Sequence, residues 1–135
     1  MRFKGKCVVV TGASSGMGRK IALDFAKEGA TVIAVARRLE RLEEIAKEAE
    51  SFAGKILPYQ GDISLEEVNN SMIDYAVKEC GKLDVLVNNA GIMDEFTPIG
   101  ELTDELFNKV MAVNLNGPIY AMRKAVQVML EQETK

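Results

Sequence analysis

The chain offers few groups for acid–base chemistry, and the first to weigh is YAMRK, in which Tyr120 precedes Lys124 by four residues. A phenol beside an ammonium is a proton-transfer arrangement, because the cation favours the phenolate. Residues at this spacing also meet on the face of any helix. At about 100° and 1.5 Å per residue, Tyr120 sits roughly 240° around a helix from Asn114 and about 9 Å along it. The two do not converge on one substrate, so YAMRK is read as a pair of helix neighbours. Tyr75 lacks even that spacing, since Lys78 follows it at three residues. The chain has no histidine, which excludes a Ser-His-Asp triad, a His-ligated zinc site and any imidazole base. Cys7 and Cys80 are too far apart for a CxxC motif and sit in apolar stretches, as reduced core thiols of a cytoplasmic protein do.

A different chemistry is written in Thr11-Gly12-Ala13-Ser14-Ser15-Gly16-Met17-Gly18. Glycines at such spacing allow a tight turn, a close approach of backbone to a pyrophosphate, and close packing of helix on strand. The helix start that follows supplies free N–H donors and a partial positive charge. Glycines also mark ordinary turns, but an apolar run before the loop and a helical pattern after it favour a phosphate cradle.

The elements that must position this loop follow from the periodicity. Apolar β-branched runs at 7–11, 31–36, 55–59 and 83–88 alternate with helix-period segments at 17–27, 39–52, 64–80 and 103–131. That order predicts an α/β chain: a Rossmann-like doubly wound parallel sheet of about four strands, in the order 3-2-1-4, with flanking helices. CVVVT, TVIAVA and DVLVN are continuously apolar, as strands buried on both faces are. Ser64-Leu65-Glu66-Glu67 reads as a capping box with Ile63 and Val68 as its hydrophobic staple. Gly29 and Gly81 fall where left-handed helix ends are wanted.

The 135 residues are 47% hydrophobic and 27% charged, which fits one globular domain over 1–135. A net charge of −3 gives no basic footprint for nucleic acid or an anionic membrane. The apolar run after MRFKGK is too short for a membrane span or a leader peptide. Segment 103–131 is apolar all round, which requires cover on more than one face and suggests a subunit contact as well as a core.

The glycine pattern TGxxxGxG, followed by Asp62-Ile63, then Asn88-Asn89-Ala90-Gly91, then Asn114 in VNLNG, resembles the short-chain dehydrogenase/reductase family, in its shorter branch and its 3-oxoacyl-reductase-like members. The resemblance implies an NAD(P)-dependent oxidoreductase moving a hydride between nicotinamide and a carbonyl or secondary alcohol of a small molecule. It places Gly12, Ser14, Ser15, Gly16, Met17 and Gly18 in the cofactor loop. It sets Asp62 and Ile63 at the adenine, and Asn89, Ala90 and Gly91 along the ribose, with Asn88 as scaffold. Asn114 would hold a water for proton relay, and the poor helix residues Asn114-Leu115-Asn116-Gly117-Pro118 suit a helix whose backbone is diverted to a site. After the second strand, where a carboxylate would meet the ribose of NAD, stand Arg37 and Arg38, which favour the 2′-phosphate of NADP. Both arginines also suit a solvated helix face running on into Glu40 and Arg41, and Ser15 is not the basic residue that many NADP-using relatives carry. The family's serine and Tyr-xxx-Lys belong to a fifth strand and the next helix. The chain therefore reads as the amino-terminal portion of a homo-oligomeric enzyme, inactive alone, with a fifth strand expected from about residue 133. The alternative is an NADP-binding module without catalysis. A methyltransferase also joins a glycine loop to a parallel sheet, but needs an acid where Ala36-Arg37-Arg38 stands.

Overall fold

A computed structural model of the chain describes residues 1–93 and 96–133. Of Glu133, Thr134 and Lys135, where a fifth strand is expected to start, the last two lie outside them. The elements run β1 Cys7–Thr11, α1 Gly16–Lys27, β2 Thr31–Ala36, α2 Leu39–Glu48, β3 Lys55–Gln60, α3 Glu66–Cys80, β4 Val85–Val87, α4 Asp104–Met111 and α5 Gly117–Glu131. All strands pair in parallel, in the order β3-β2-β1-β4, as the alternation of strand and helix patterns predicts.

The alternation of side chains along each strand divides the core in two. Val8, Val10, Val32 and Ala34 face Ala22, Leu23, Leu42 and Ile45 of α1 and α2, while Val9, Ile33 and Val35 face Met72, Ile73, Ala121 and Ala125 of α3 and α5. Every residue of β1 is buried, which is why its sequence does not alternate. Pro58 interrupts β3 without cost to the ladder because β3 is an edge strand. Cys7 is buried and Cys80 half-buried, both free thiols, and burial pushes the Cys7 thiol up.

Gly29 and Gly81 do adopt left-handed conformations after α1 and α3, with φ of 96° and 79°. The capping box does not form. Ser64 instead donates its N–H to Asp62 Oδ1 at 3.0 Å, and Leu65, without a capping side chain, occupies the N-cap of α3. An Asx turn at Asp62 competes for the same backbone and wins. With the cap moved one residue on, the staple pairing of Ile63 with Val68 loses its place as well.

The segment expected as one helix is two α-helices joined through a π-helical turn, Ala112–Asn116. The cause lies in two tertiary contacts. Asn114 Oδ1 accepts from Ile92 N–H at 2.8 Å and its Nδ2 donates to the Ile92 carbonyl at 2.7 Å. A turn later, a Cβ on Gly117 would stand 2.5 Å from the Ile63 carbonyl oxygen. Widening the turn lets both contacts form on one continuous helix. At the far end, Gln132 makes the same two-point bond to Leu83, accepting from its N–H at 3.1 Å and donating to its carbonyl at 2.8 Å. Among the described residues no helix is long and apolar enough to cross a membrane.

Candidate functional site

The loops leaving the carboxyl ends of all four strands meet in one cleft of about 260 Å³. Gly12, Ser14 and Ser15 come from the loop after β1, Arg37 follows β2, Asp62 and Ile63 follow β3, and Asn89, Ala90 and Gly91 follow β4. The helical run adds Val113 from its π turn. In a parallel sheet this edge is where connections part and a ligand finds room.

Each glycine of the loop has its own physical reason. Gly12 has φ +65°, and a Cβ there would lie 2.8 Å from Ala90 Cα. Gly16 has φ +57° with open space around it, so conformation alone selects it. Gly18 is buried, and a Cβ there would stand 2.1 Å from the Gly12 carbonyl oxygen. Ala13 N–H is tied to the Val35 carbonyl at 3.2 Å, and the first bond of α1 runs from Arg19 N–H to the Ser15 carbonyl at 3.3 Å. The N–H groups ahead of Arg19 thus lack intrahelical partners and carry the positive end of the helix dipole. Met17 is 76% exposed and lies outside the cleft lining.

Beside the glycine loop, Arg37, Arg38 and Arg41 enclose a second, polar recess with Ser14 and Ser15. Among the described residues none of the three guanidiniums has a hydrogen-bond or ion-pair partner. The third cation was visible in the sequence as part of a charged helix face. Its place follows from α2 beginning at Leu39, which turns Arg41 back over the loop.

Thr11, absent from the sequence-based site, is a buried clamp at 2% exposure. Its Oγ1 accepts from Asn89 N–H and Ala90 N–H, both at 3.1 Å, and donates to the Val87 carbonyl at 3.5 Å. The scaffold bond expected of Asn88 is made by Asn89, whose Nδ2 donates to the Gly12 carbonyl at 3.3 Å, while Asn88 is exposed. Thr11→Val keeps the outline, strands the Ala90 N–H and leaves the Asn89 N–H only its 3.1 Å bond to the Val87 carbonyl. It is expected to cost about 2 kcal/mol of stability, read as a lower urea midpoint at unchanged slope.

Asp62 is held below its ordinary value, chiefly by the N–H it accepts from Ser64, with Arg37 adding to the effect. An unfolded aspartate titrates near about 3.9. The folded value is lower, so the stabilisation is complete above the unfolded value and is lost as pH falls through the folded one. The stability gap between wild type and Asp62→Ala is expected to hold from neutral pH to about pH 5 and to close below about pH 4, in urea titrations over that range.

Asn114 does not line the cleft. Both ends of its amide are occupied by Ile92, which itself lines the cleft, so the side chain acts on the loop after β4. Tyr120 lies under the Arg123 guanidinium, and Lys124 Nζ is 3.2 Å from Asp74 Oδ1 on α3. The YAMRK pair thus faces α3 and solvent. Among the described residues no cluster of side chains could hold a metal ion.

A family model described as short chain dehydrogenase matches residues 6–134. Among curated proteins the chain is similar to 3beta-hydroxysteroid dehydrogenase 2 of Eggerthella lenta, at 37% identity over 128 residues, which cover 95% of this chain and 49% of that protein. The chain spans about half the length of the curated relatives it matches first. Among solved structures it resembles a metagenomic short-chain oxidoreductase in complex with NADP, with a TM-score of 0.91 and 30% identity over 96% of this chain and 59% of that one. It is equally similar in fold to an NAD+-bound xylitol dehydrogenase, with a TM-score of 0.91 and 28% identity over 99% of this chain and 52% of that one.

Proposed function

Because the chain belongs to the short-chain dehydrogenase family, we propose that it holds the nicotinamide dinucleotide of an oxidoreductase acting on a small carbonyl or secondary-alcohol substrate, with NADP preferred over NAD. The observation that carries the preference is the recess lined by Arg37 and Arg38 after β2 and Arg41 of α2, whose guanidiniums have no hydrogen-bond or ion-pair partner among the described residues, where a carboxylate would be wanted for NAD.

The bound cofactor supplies the hydride donor or acceptor. The residues of this chain bind and orient it. The N–H groups of Ser14, Ser15, Gly16, Met17 and Gly18 receive the pyrophosphate, and Gly12 keeps the approach open. Arg37 and Arg38, joined by Arg41, take the 2′-phosphate, for which a planar fork of donors is suited. Asp62 and Ile63 flank the adenine, and Asn89, Ala90 and Gly91 follow the ribose. Asn114 fixes the loop that carries Ile92, and the π turn to which it belongs is the proposed seat of the relay water. Tyr120 and Lys124 have other partners, so the 135 residues are expected to bind the cofactor without turning over a carbonyl. Leu115, Ile119, Met122, Val126 and Leu130 form an exposed apolar stripe along one side of the helical run, and a homo-oligomer contact is proposed there.

Calorimetric titration of the protein tests this reading. NADPH is expected to bind at least tenfold more tightly than NADH. NADH binding as tightly as NADPH overturns the preference, and no binding of either overturns the assignment.

A further inference from the structure

The loop after β3 rests on a side chain to which the cofactor reading gives no role. Asn69, in the first turns of α3, is 1% exposed. Its Nδ2 donates to the Ile63 carbonyl at 2.7 Å and to the Leu65 carbonyl at 3.0 Å. Its Oδ1 is buried with no partner among the described residues. An orphaned buried acceptor is destabilising, and an apolar side chain of the same outline would avoid it. The amide's contribution therefore lies in its donor. That donor supplies the hydrogen bond of the Ile63 carbonyl, a group against which Gly117 is closely packed from the other side. Ile63 and its neighbour Asp62 form one wall of the cleft.

We infer that Asn69 is a positioning residue for the adenine half of the cofactor site, setting the Ile63 backbone so that Asp62 and Ile63 present the correct wall. The inference rests on the dinucleotide reading above. Asn69 does not itself line the cleft and acts through the loop residue Ile63, which does. Without the donor, the Ile63 carbonyl must turn to find another partner, and the peptide planes on both sides of it turn too.

The test is Asn69→Leu, which matches the amide in outline but cannot donate, with Asn69→Asp as a second variant that presents oxygen to the Ile63 carbonyl. Two probes separate the halves of the site: 2′,5′-ADP, which spans the adenine wall and the arginines, and inorganic pyrophosphate, which needs only the glycine loop. Whichever variant is folded by circular dichroism is expected to bind 2′,5′-ADP about tenfold more weakly and pyrophosphate as wild type does. A purely structural role lowers thermal stability and leaves both affinities unchanged, or weakens both alike, and either result overturns the inference while the cofactor reading stands. If wild-type protein binds pyrophosphate but not 2′,5′-ADP, the dinucleotide reading fails and the inference falls with it.

Discussion

Gly18→Ala is expected to lower the stability of the protein by roughly 3 kcal/mol and to abolish measurable dinucleotide binding. The added methyl would stand 2.1 Å from the Gly12 carbonyl oxygen, 2.7 Å from its carbon and 2.5 Å from Asn89 Nδ2. Two of these atoms are backbone, so no rotamer change relieves the clash. Either α1 moves off the sheet or the loop between Gly12 and Gly18 opens. Opening the loop also breaks the bond from Asn89 Nδ2 to the Gly12 carbonyl and so loosens the strand end that carries Asn89 and Ala90. Gly16→Ala is the control. Its surroundings are empty, and only the φ of +57° is strained, which costs about 1–2 kcal/mol. Urea denaturation orders the two variants, and nucleotide titration at a temperature where both are folded separates lost shape from lost stability. Equal stability of the two variants would show that the loop yields at Gly12.

Removing the guanidiniums together, in Arg37→Ala/Arg38→Ala/Arg41→Ala, is expected to weaken NADPH about a hundredfold while changing NADH less than about threefold. Each contributes a charge-assisted bond to a phosphate at a partly solvated site, which is worth about 1 kcal/mol after screening. No native ion pair is lost, because none of the three has one among the described residues. Stability is accordingly expected to change by less than about 0.5 kcal/mol. Affinities for both cofactors in low and high salt give the measurement, since the NADPH advantage shrinks with salt and the NADH affinity does so less. A parallel loss of both cofactors would mean that the arginines shape the loop and do not read the 2′-phosphate.

What the sequence reveals here divides by range. The glycine loop, the strands and their order follow from local periodicity and spacing, because burial on two faces is stamped on the residues of β1 and β2, whereas DVLVN, equally apolar, forms the edge strand β4 and is only half-buried at Val85–Val87. Asp62 and Ile63 lie just past a strand end, and their place at the site is what the family resemblance implies. The capping box expected at Ser64 does not form because Asp62 offers the Ser64 N–H a nearer acceptor, a contest between two local motifs that residue types alone do not decide. The poor helix residues around Asn114 announced a distortion. The π turn as its form depends on Ile92 and Ile63, which reach the helix only through the fold. Thr11 opens the glycine motif, yet its clamp joins residues 78 and 79 positions away, which no local pattern reveals. Asn69 carries no signal of its own in the sequence, because its role depends on the loop after β3, whose Ile63 and Leu65 carbonyls it meets.

The three-residue strand β4 has one partner strand, β1, and is otherwise held by side chains: Gln132 at Leu83 before it, Thr11 and Asn114 at the loop after it. These attachments matter to the order in which the protein assembles. The β1-α1-β2-α2-β3 portion closes through neighbouring segments, whereas seating β4 requires the chain to return across 77 residues to Cys7 through Asp84. Loop closure over that span is slow relative to the local pairings. During synthesis, the dinucleotide cradle of β1 and β2 is therefore expected to exist before the strand that completes its floor. In that interval the buried hydroxyl of Thr11 faces water, and the nascent site waits for the Asn89 and Ala90 amides to lock it.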